Sequence, residues 1–286
     1  MGADASAIVF ILKVAVASLA GGVVGSISGL GGGIIIVPVL TIFLGMPIQD
    51  AIGASIISVI ATSSGAGSVY VRDHITNVRI AMFLELETAA GAIVGAAVLA
   101  PIANAQVLSI VFGVVLLASL VPIFGKIGEE LPEGVHNDPL AKKLRLNSSY
   151  FDKRMGRQVD YQVTGIPASM GIMFLAGIIS GLLGIGAGVL KVLAHEVAMK
   201  VPSKVSTATS NFMIGVTAAT AAGVYLRRGL VLPWVVVPVA SSVLLGAFIG
   251  TMLMERMSNA RVRQVFAVAL AVIGLEMLSR GLGLPL

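Results

Sequence analysis

The stretch Gly29-Leu30-Gly31-Gly32-Gly33-Ile34 recurs 155 residues later as Gly184-Ile185-Gly186-Ala187-Gly188-Val189, and each copy interrupts a long apolar run. Chance similarity between two apolar segments would match Leu, Val and Ala, not residues with specific backbone or polar roles. The same offset superposes Gly22 on Gly177, Pro47 on Pro202, Tyr70 on Tyr225 and Arg72 on Arg227. The sequence therefore predicts two homologous repeats.

The composition is that of an integral membrane protein. Hydrophobic residues make up 57% of the chain and charged residues only 12%, against about a quarter in soluble domains. A bilayer core of about 30 Å needs roughly 20 apolar residues per helical span, and nearly uncharged stretches of that length recur in both halves. These stretches are continuous and do not alternate as barrel strands would. We predict an all-α polytopic protein of the cell (plasma) membrane.

The composition also excludes several classes of function. The chain has no Cys, which rules out disulfides, thiol catalysis and thiolate metal sites, and its three His residues have no metal-ligand spacing. The net charge of +5 comes from Lys and Arg at the ends of apolar runs, where membrane topology places them. We therefore predict no cofactor, no metal and no nucleic-acid partner, and the lipid bilayer as surroundings. No removable signal peptide is expected, so the first apolar run is predicted to be the first helix.

Polar composition divides the chain into three parts. Residues 126–165 contain 13 charged side chains and are predicted to form a solvated cytoplasmic connector. It joins a first transmembrane repeat, 1–125, to a second, 166–286, each with about four or five membrane helices and a Gly-broken helix or re-entrant segment. The predicted segments are 7–28, 34–45, 50–71, 79–100, 105–125, 166–183, 189–200, 205–226, 230–254 and 260–280.

The orientation of the two repeats stays open at this level. The loop 72–79 falls on the connector side, but Arg227 and Arg228 favour one side of the membrane and the Arg residues of 256–263 the other. After Gly33 about 12 apolar residues precede the next turn, and they reach about 18 Å, roughly half the hydrocarbon core. That length fits a half-helix or re-entrant hairpin. Such breaks in both halves are typical of transporters with inverted repeats, and parallel four-span repeats are the alternative.

The chemistry expected at the two breaks is anion binding. Glycine backbone can approach a ligand closely, and a half-helix beginning there directs unpaired N–H groups and a positive dipole end into the break. The predicted substrate-binding glycines are Gly29, Gly31, Gly32, Gly33, Gly184, Gly186 and Gly188. The alternative is that small residues only let helices pack closely, which is the reading preferred for Gly91, Gly95, Gly246 and Gly250.

Polar side chains follow each break. Ser55, Ser58 and Thr62 share one helical face, and Ser210 and Thr217 occupy matching places in the second half. Hydroxyls in membrane helices also bond their own backbone, which is the alternative to binding substrate. Asn211 offers two donors to an oxyanion and stands where the first half has Ile56, so the site is expected to be asymmetric. The predicted substrate-binding set is completed by Ser55, Ser58, Thr209, Ser210 and Asn211.

Ionisable residues after the second break are candidates for coupling. Lys191 is interpreted as an attraction for an anion, and His195 with Glu196 as a proton-coupling pair. The alternative is an interfacial amphipathic segment whose Lys chains reach the surface. Glu85 and Glu87 begin a span near Arg79, and for them a solvated or ion-paired role is preferred over proton relay.

At these residues the chain resembles the TauE/SafE sulfite exporter family, a group of membrane anion permeases. The resemblance rests on the paired motifs of Gly29–Pro38 and Gly184–Val192, each followed by an A/T-S block and then by the Tyr70 or Tyr225 region. It covers both repeats. The second copy departs from the family pattern at Ala187 and over 193–196, where an apolar stretch with Pro is usual, and the connector is longer than expected.

The resemblance implies a secondary transporter for a small sulfur-containing or organic anion, such as sulfite or a sulfonate, working by alternating access with protons as the coupling ion. A permease for a non-sulfur anion such as a carboxylate is the alternative. An intramembrane enzyme or a membrane scaffold fits less well, because no nucleophile/base pair or metal constellation is evident. The protein is therefore not expected to be an enzyme. A homodimer is possible.

Overall fold

The computed structural model describes residues 2–28, 31–120, 131–132, 134–153, 155–256 and 259–284. In the first half the helices are α1 (Gly2–Ser28), α2 (Gly33–Pro38), α3 (Ile48–Arg72), α4 (Val78–Ile93) and α5 (Ala105–Ala118). π-helical turns extend α2 over Val39–Phe43 and α4 over Val94–Leu99, and Ala100–Ile102 adds a last helical piece to α4.

The connector contains α6 (Pro139–Leu144) and a hairpin of two antiparallel strands, β1 (Ser148–Asp152) and β2 (Arg157–Tyr161). The second half consists of α7 (Ile166–Leu183), α8 (Gly188–Leu193), α9 (Ser203–Arg227), α10 (Pro233–Arg256) and α11 (Asn259–Leu282), with a π-helical turn, Ala194–Ala198, that extends α8. The bounds of α2, its π turn and α3 thus recur in α8, its π turn and α9 at the 155-residue offset of the sequence.

Equivalent residues start and stop the equivalent helices. Pro47 and Pro202 precede α3 and α9 with nearly identical backbone angles, φ −53° and −54°. Proline cannot continue a helix from the preceding turn, so the chain must restart at these points. Gly184 ends α7 in the left-handed conformation, at φ +66°, which is the usual role of glycine at a helix C-terminus.

Among the described residues, five helices are long and apolar enough to cross a membrane: Val9–Ile27, Ile48–Arg72, Val78–Ile102, Ile166–Leu183 and Pro233–Leu253. Two shorter apolar helices, Gly33–Phe43 and Ala105–Ala118, accompany them. The predicted span 205–226 has the necessary length in α9, but its Ser, Thr and Asn residues lower its hydropathy. The chain is therefore a mostly helical, multi-pass membrane protein.

α3 and α9 cross each other antiparallel at the centre of the bundle. The Ser63 hydroxyl donates to the Asn211 carbonyl oxygen at 2.5 Å, and Ala66, further along α3, packs in one cluster with Ala208, which is earlier in α9. Residues later in α3 therefore contact residues earlier in α9, which shows that the two helices run in opposite directions.

α5 and α11 also run antiparallel. A Cβ on Gly113 would lie 2.8 Å from the Gly274 carbonyl oxygen, and one on Gly281 would lie 2.8 Å from the Ile110 nitrogen. These helices are equivalent to each other under the 155-residue offset, as α3 and α9 are. In both pairs, the two repeat-equivalent helices therefore run antiparallel to each other.

α3 and α10, which are not equivalent at the 155-residue offset, run in the same direction. A Cβ on Gly53 would clash with the Leu230 carbonyl, and one on Gly65 would lie 3.3 Å from the Ala247 Cβ. Similar backbone contacts join α4 to α7 and α1 to α10 at Gly91, Gly95, Gly246 and Gly250, where any side chain would clash with a carbonyl oxygen of the facing helix. The close-packing interpretation of those four glycines is confirmed.

The connector is folded against the helices and is less solvated than predicted. Lys153 Nζ lies 3.1 Å from Asp73 Oδ2 in the α3–α4 loop, and Lys204 at the start of α9 lies 2.8 Å from Asp152 Oδ1. Burial works to raise the pKa of Asp73, but Lys153 and Arg72 outweigh it and hold that pKa below its usual value. The connector therefore contacts both halves of the protein. Its buried side chains Leu146, Tyr150, Tyr161 and Val163 explain the difference from the prediction, because they pack on α4 and α7.

Asn77 is the main polar link between the connector and α4, and its loss is expected to destabilise the protein. Its Oδ1 accepts from the Ile80 N–H at 3.1 Å, and its Nδ2 donates to the Leu146 carbonyl and the Tyr161 hydroxyl, both at 2.8 Å. Asn77→Ala should lower the free energy of unfolding by about 2–3 kcal/mol, because a helix cap and two buried hydrogen bonds are lost together. Thermal unfolding of the detergent-purified protein measures the effect.

Asn104→Ala is the matched control. Asn104 caps α5 by the same contact, with its Oδ1 accepting from the Val107 N–H at 2.8 Å, but it is exposed at the surface. A loss of only about 1 kcal/mol is expected from the cap alone. Equal losses in the two variants would show that the buried bonds of Asn77 contribute nothing.

Candidate functional site

The two glycine breaks face the same pair of side chains, Val59 of α3 and Ile214 of α9. A Cβ on Gly31 would lie 3.1 Å from Ile214 Cδ1 and 3.8 Å from Val59 Cγ2. A Cβ on Gly186 would lie 3.0 Å from both Ile214 Cβ and Val59 Cγ1. Val59 and Ile214 are themselves equivalent at the 155-residue offset. The breaks thus meet where α3 and α9 cross.

A hydrogen bond connects the two halves at this point. The Ser55 hydroxyl of α3 donates to the Gly184 carbonyl oxygen at 2.8 Å, and a Cβ on Gly33 would lie 3.0 Å from the same oxygen. Ser55 is fully buried. In this conformation the breaks are closely packed, and substrate binding by these glycines stays a prediction.

Both half-helices begin without a side-chain cap. Gly32 and Ala187 occupy the N-cap positions of α2 and α8, and neither provides a side-chain hydrogen bond. Gly32 has right-handed backbone angles, whereas Ala187 is left-handed at φ +46°. The two breaks therefore differ in backbone shape. Gly29 lies outside the described residues.

A buried ion pair stands beside the second break. Lys191, in the first turn of α8, is fully buried, and its Nζ lies 3.7 Å from Oε2 of Glu85 on α4. It also donates to the hydroxyl of Thr217 on α9, and that hydroxyl lies 2.5 Å from Glu85 Oε1. Lys191 is enclosed by the protein and does not reach its surface, which differs from the interfacial alternative. Glu85 has the ion-paired role, with a partner that the sequence did not indicate.

His195 and Glu196 lie one turn further, in the π-helical turn. His195 is fully buried, and within the described part of the chain neither of its ring nitrogens has a hydrogen-bond partner. Glu196 is 9% exposed. The two side chains are therefore not hydrogen-bonded to each other in this conformation, so the pair stays a prediction. No cluster of three or more Asp, Glu and His residues able to hold a metal ion is found in the described ranges.

The hydroxyls after the breaks divide into two groups. Ser58 and Thr62 donate to carbonyls of their own helix, at 2.6 Å to Ser55 O and 2.9 Å to Ser58 O, as the backbone-bonding alternative expects. Ser210 approaches the Gly188 carbonyl of the second break at 3.5 Å. Thr209 turns towards the connector side and accepts from the Asn77 N–H at 3.1 Å. The structure thus brings Ser55 and Ser210 to the breaks but not Thr209.

Asn211 is buried between α9 and the end of α1. Its Nδ2 donates to the Ser26 carbonyl oxygen at 3.1 Å, just before the first break. Its Oδ1 is buried and has no hydrogen-bond partner among the described residues. An amide with a free acceptor beside a break is a candidate for recognising a ligand that carries a donor.

Comparisons with known proteins agree with these features. The family described as "Sulfite exporter TauE/SafE" matches residues 14–277. The chain belongs to the TauE/SafE family. A relative described as "Probable membrane transporter protein YunE", from Bacillus subtilis (strain 168), is 26% identical over 276 residues, which cover 93% of this chain and 97% of the relative. No solved structure matches significantly. The protein is therefore a multi-pass member of a membrane transporter family.

Two functional features of this TauE/SafE chain were not predicted from its sequence. One is the pairing of Glu85 with Lys191. The other is the role of the two repeat-matched tyrosines: the Tyr70 hydroxyl donates to Ser26 O at 3.1 Å, and that of Tyr225 donates to Gly181 O at 3.0 Å. They secure the ends of α1 and α7 next to the breaks. Their recurrence at the same offset was the signal available in the sequence.

Proposed function

We propose that the protein is a secondary transporter that moves a small sulfur-containing or organic anion, such as sulfite or a sulfonate, across the cytoplasmic membrane by alternating access, coupled to protons. The observation that carries this proposal is the meeting of two uncapped, Gly-broken half-helices at the α3–α9 crossing, beside the fully buried cation of Lys191. Half-helix N-termini and a buried cation favour an anion. The family description supports sulfite as the substrate class.

The directions of the helices support an inverted arrangement of the two repeats. A two-fold axis in the membrane plane makes equivalent helices cross antiparallel, whereas parallel repeats would keep them in the same direction. The antiparallel crossings of α3 with α9 and of α5 with α11 support inversion. So does the doubling back of α2 on α1, where a Cβ on Gly21 would lie 3.5 Å from Ile36 Cγ1.

An inverted arrangement would also account for the positions of the charged residues in the second half. Since α3 and α10 run in the same direction, the ends of these helices at Arg72 and Arg256 lie on the side of the connector, and Arg227 with Arg228 lies opposite. The side with the connector then has most of the Lys and Arg residues, which supports its assignment to the cytoplasm.

A ligand-binding screen tests the proposed function. Thermal unfolding of the purified protein is measured with sulfite, sulfate, thiosulfate, sulfoacetate, taurine and carboxylates, against sodium chloride at matched ionic strength. A ligand present at about 100 times its Kd should stabilise the folded protein by about 2.7 kcal/mol. Stabilisation by sulfite or a sulfonate is the expected result. Stabilisation by carboxylates alone would favour the alternative permease, and no response to any anion at millimolar concentration would contradict an anion site.

A further inference from the structure

We infer that Glu85 carries the coupled proton, and that the substrate anion and the Glu85 carboxylate compete for Lys191. This inference rests on the proposed function. It assigns proton coupling to Glu85, for which the sequence had favoured a solvated or ion-paired role. It takes precedence over the predicted pair of His195 and Glu196, because those two side chains are not hydrogen-bonded to each other in this conformation.

The geometry makes each charge dependent on the other. Lys191 is fully buried and Glu85 is 8% exposed, and the two are 3.7 Å apart with the Thr217 hydroxyl between them. A buried charge without a partner is strongly unfavourable. Glu85 can therefore be compensated in two ways, by Lys191 or by a proton. Lys191 likewise can be compensated by Glu85 or by another anion.

The groups that face Glu85 support this exclusive pairing. α9 presents Thr217 and α8 presents Lys191, and the buried His195 follows one turn after Lys191 in the π turn. On its own helix Thr88 lies 3.4 Å away, whereas Glu87, two residues on, is directed to another side. α7, which packs on α4, has no titratable side chain. Lys191 is thus the cation that pairs with Glu85 among the described residues.

The other half of the protein indicates that this ion pair is not needed for folding. At the 155-residue offset, Lys191 corresponds to Ile36, Glu85 to Ala240 and Thr217 to Thr62. Ile36 is buried in the same position of the first half-helix as Lys191 is in the second. The equivalent half-helix position is therefore occupied once by a buried apolar residue and once by a buried charge. Buried ionisable residues in membrane segments that packing does not require indicate function.

Lys191 is also reachable from the break. Thr217 is one turn from Ile214 on α9, and Ile214 contacts both Gly31 and Gly186. Movement of the halves that separates the breaks from Ile214 would expose the Lys191 side of α9 to a ligand. The ion pair and the breaks thus belong to one region.

The coupling step balances in charge and protons. A monoanion binds the Lys191 ammonium and breaks its ion pair with the Glu85 carboxylate, and one proton from the same aqueous side adds to that carboxylate. The loaded site then contains the Lys191 cation, the anion and a neutral Glu85. Release on the other side returns the anion and the proton to water and restores the ion pair. One anion and one proton cross together, without net charge.

The test uses purified protein in liposomes and two assays with radiolabelled sulfite. One is uptake driven by a gradient of about one pH unit, acid outside, which one-to-one coupling converts into about tenfold accumulation. The other is exchange of sulfite at equal pH on both sides. Glu85→Gln is expected to abolish the stimulation by the gradient and to retain exchange. Glu87→Gln, on the same helix, is expected to behave as the wild type.

The outcomes separate the two proposals. If Glu85→Gln keeps the response to the gradient, or loses exchange as well, the inference is overturned. If the wild type exchanges sulfite but ignores the gradient, coupling through Glu85 is overturned and transport stands. If the wild type exchanges none of the anions in the screen, the proposed function itself is wrong.

A second measurement needs no variant. Dicyclohexylcarbodiimide modifies protonated carboxyl groups in apolar surroundings, and mass spectrometry locates the modified residue in the wild-type protein. Because anion binding leaves Glu85 neutral, its modification should increase at least about threefold with a saturating transported anion, whereas that of Glu276, which is paired with Arg280, should not change. Unchanged or reduced modification of Glu85 would overturn the inference.

Discussion

Replacing Lys191 by Ile is expected to lower the free energy of unfolding by about 3–5 kcal/mol and to abolish anion transport. The substitution leaves the Glu85 carboxylate buried without its cation, and removing one partner of a buried ion pair typically has an effect of that size. Ile is the residue that occupies the equivalent place in the first half, Ile36, so its shape is compatible with the helix. Thermal or denaturant unfolding in detergent measures the loss.

The double variant Lys191→Ile with Glu85→Ala separates charge from packing. It copies Ile36 and Ala240 of the first half, and we expect it to regain most of the stability while remaining inactive. Restored stability without transport would mean that the ion pair serves function and not folding. If the two substitutions destabilise additively, the coupling between these residues is absent and the interpretation of the pair fails.

Replacing Gly186 by Val is expected to abolish transport and to destabilise the protein by about 3 kcal/mol or more. Gly186 has φ +73°, which a β-branched residue adopts only with strain, and its Cβ would lie 3.0 Å from both Val59 and Ile214. The extra methyl groups would hold α3 and α9 apart at their crossing. Because the proposed mechanism requires the breaks to open and close around this contact, the exchange of sulfite in liposomes should fall below detection.

Gly223→Val is the matched control in the bundle. Gly223 lies on an exposed face of α9, with no atom within 4 Å of an added Cβ and no positive φ. Its effect on stability is expected to stay within about 0.5 kcal/mol, with transport retained. Transport is compared per amount of monodisperse protein, so that misfolding is not counted as lost activity. Normal transport by folded Gly186→Val would remove the glycine breaks from the mechanism.

Local features of this protein could be predicted from its sequence. The half-helix predicted at 34–45 is found as Gly33–Phe43, directly after the glycine cluster, and the segment 50–71 is found as Ile48–Arg72, directly after Pro47. The family was also identified correctly from the paired glycine motifs. The helix ends depend on neighbouring residues only, whereas the family was identified from two motifs 155 residues apart.

The connector and the charged site were less accessible to prediction. The density of charge in 126–165 indicated solvent, but alternate side chains of its hairpin pack on α4 and α7. Glu85 seemed to be an interfacial residue because it is near Arg79 in sequence, whereas its partner Lys191 lies 106 positions away. Contacts between helices depend on rotation and register, and neither is visible in hydropathy.

The sequence by itself determined the membrane class, the two glycine breaks and the short half-helices, because apolar length and backbone chemistry act locally. Only the tertiary structure decided that the breaks meet at Val59 and Ile214 and that α3 and α9 cross antiparallel. It also decided that Lys191 of α8 pairs with Glu85 of α4. A buried charge must be compensated by whichever group the packing brings within reach. That partner is set by how the two halves pack together, which no single stretch of the chain contains.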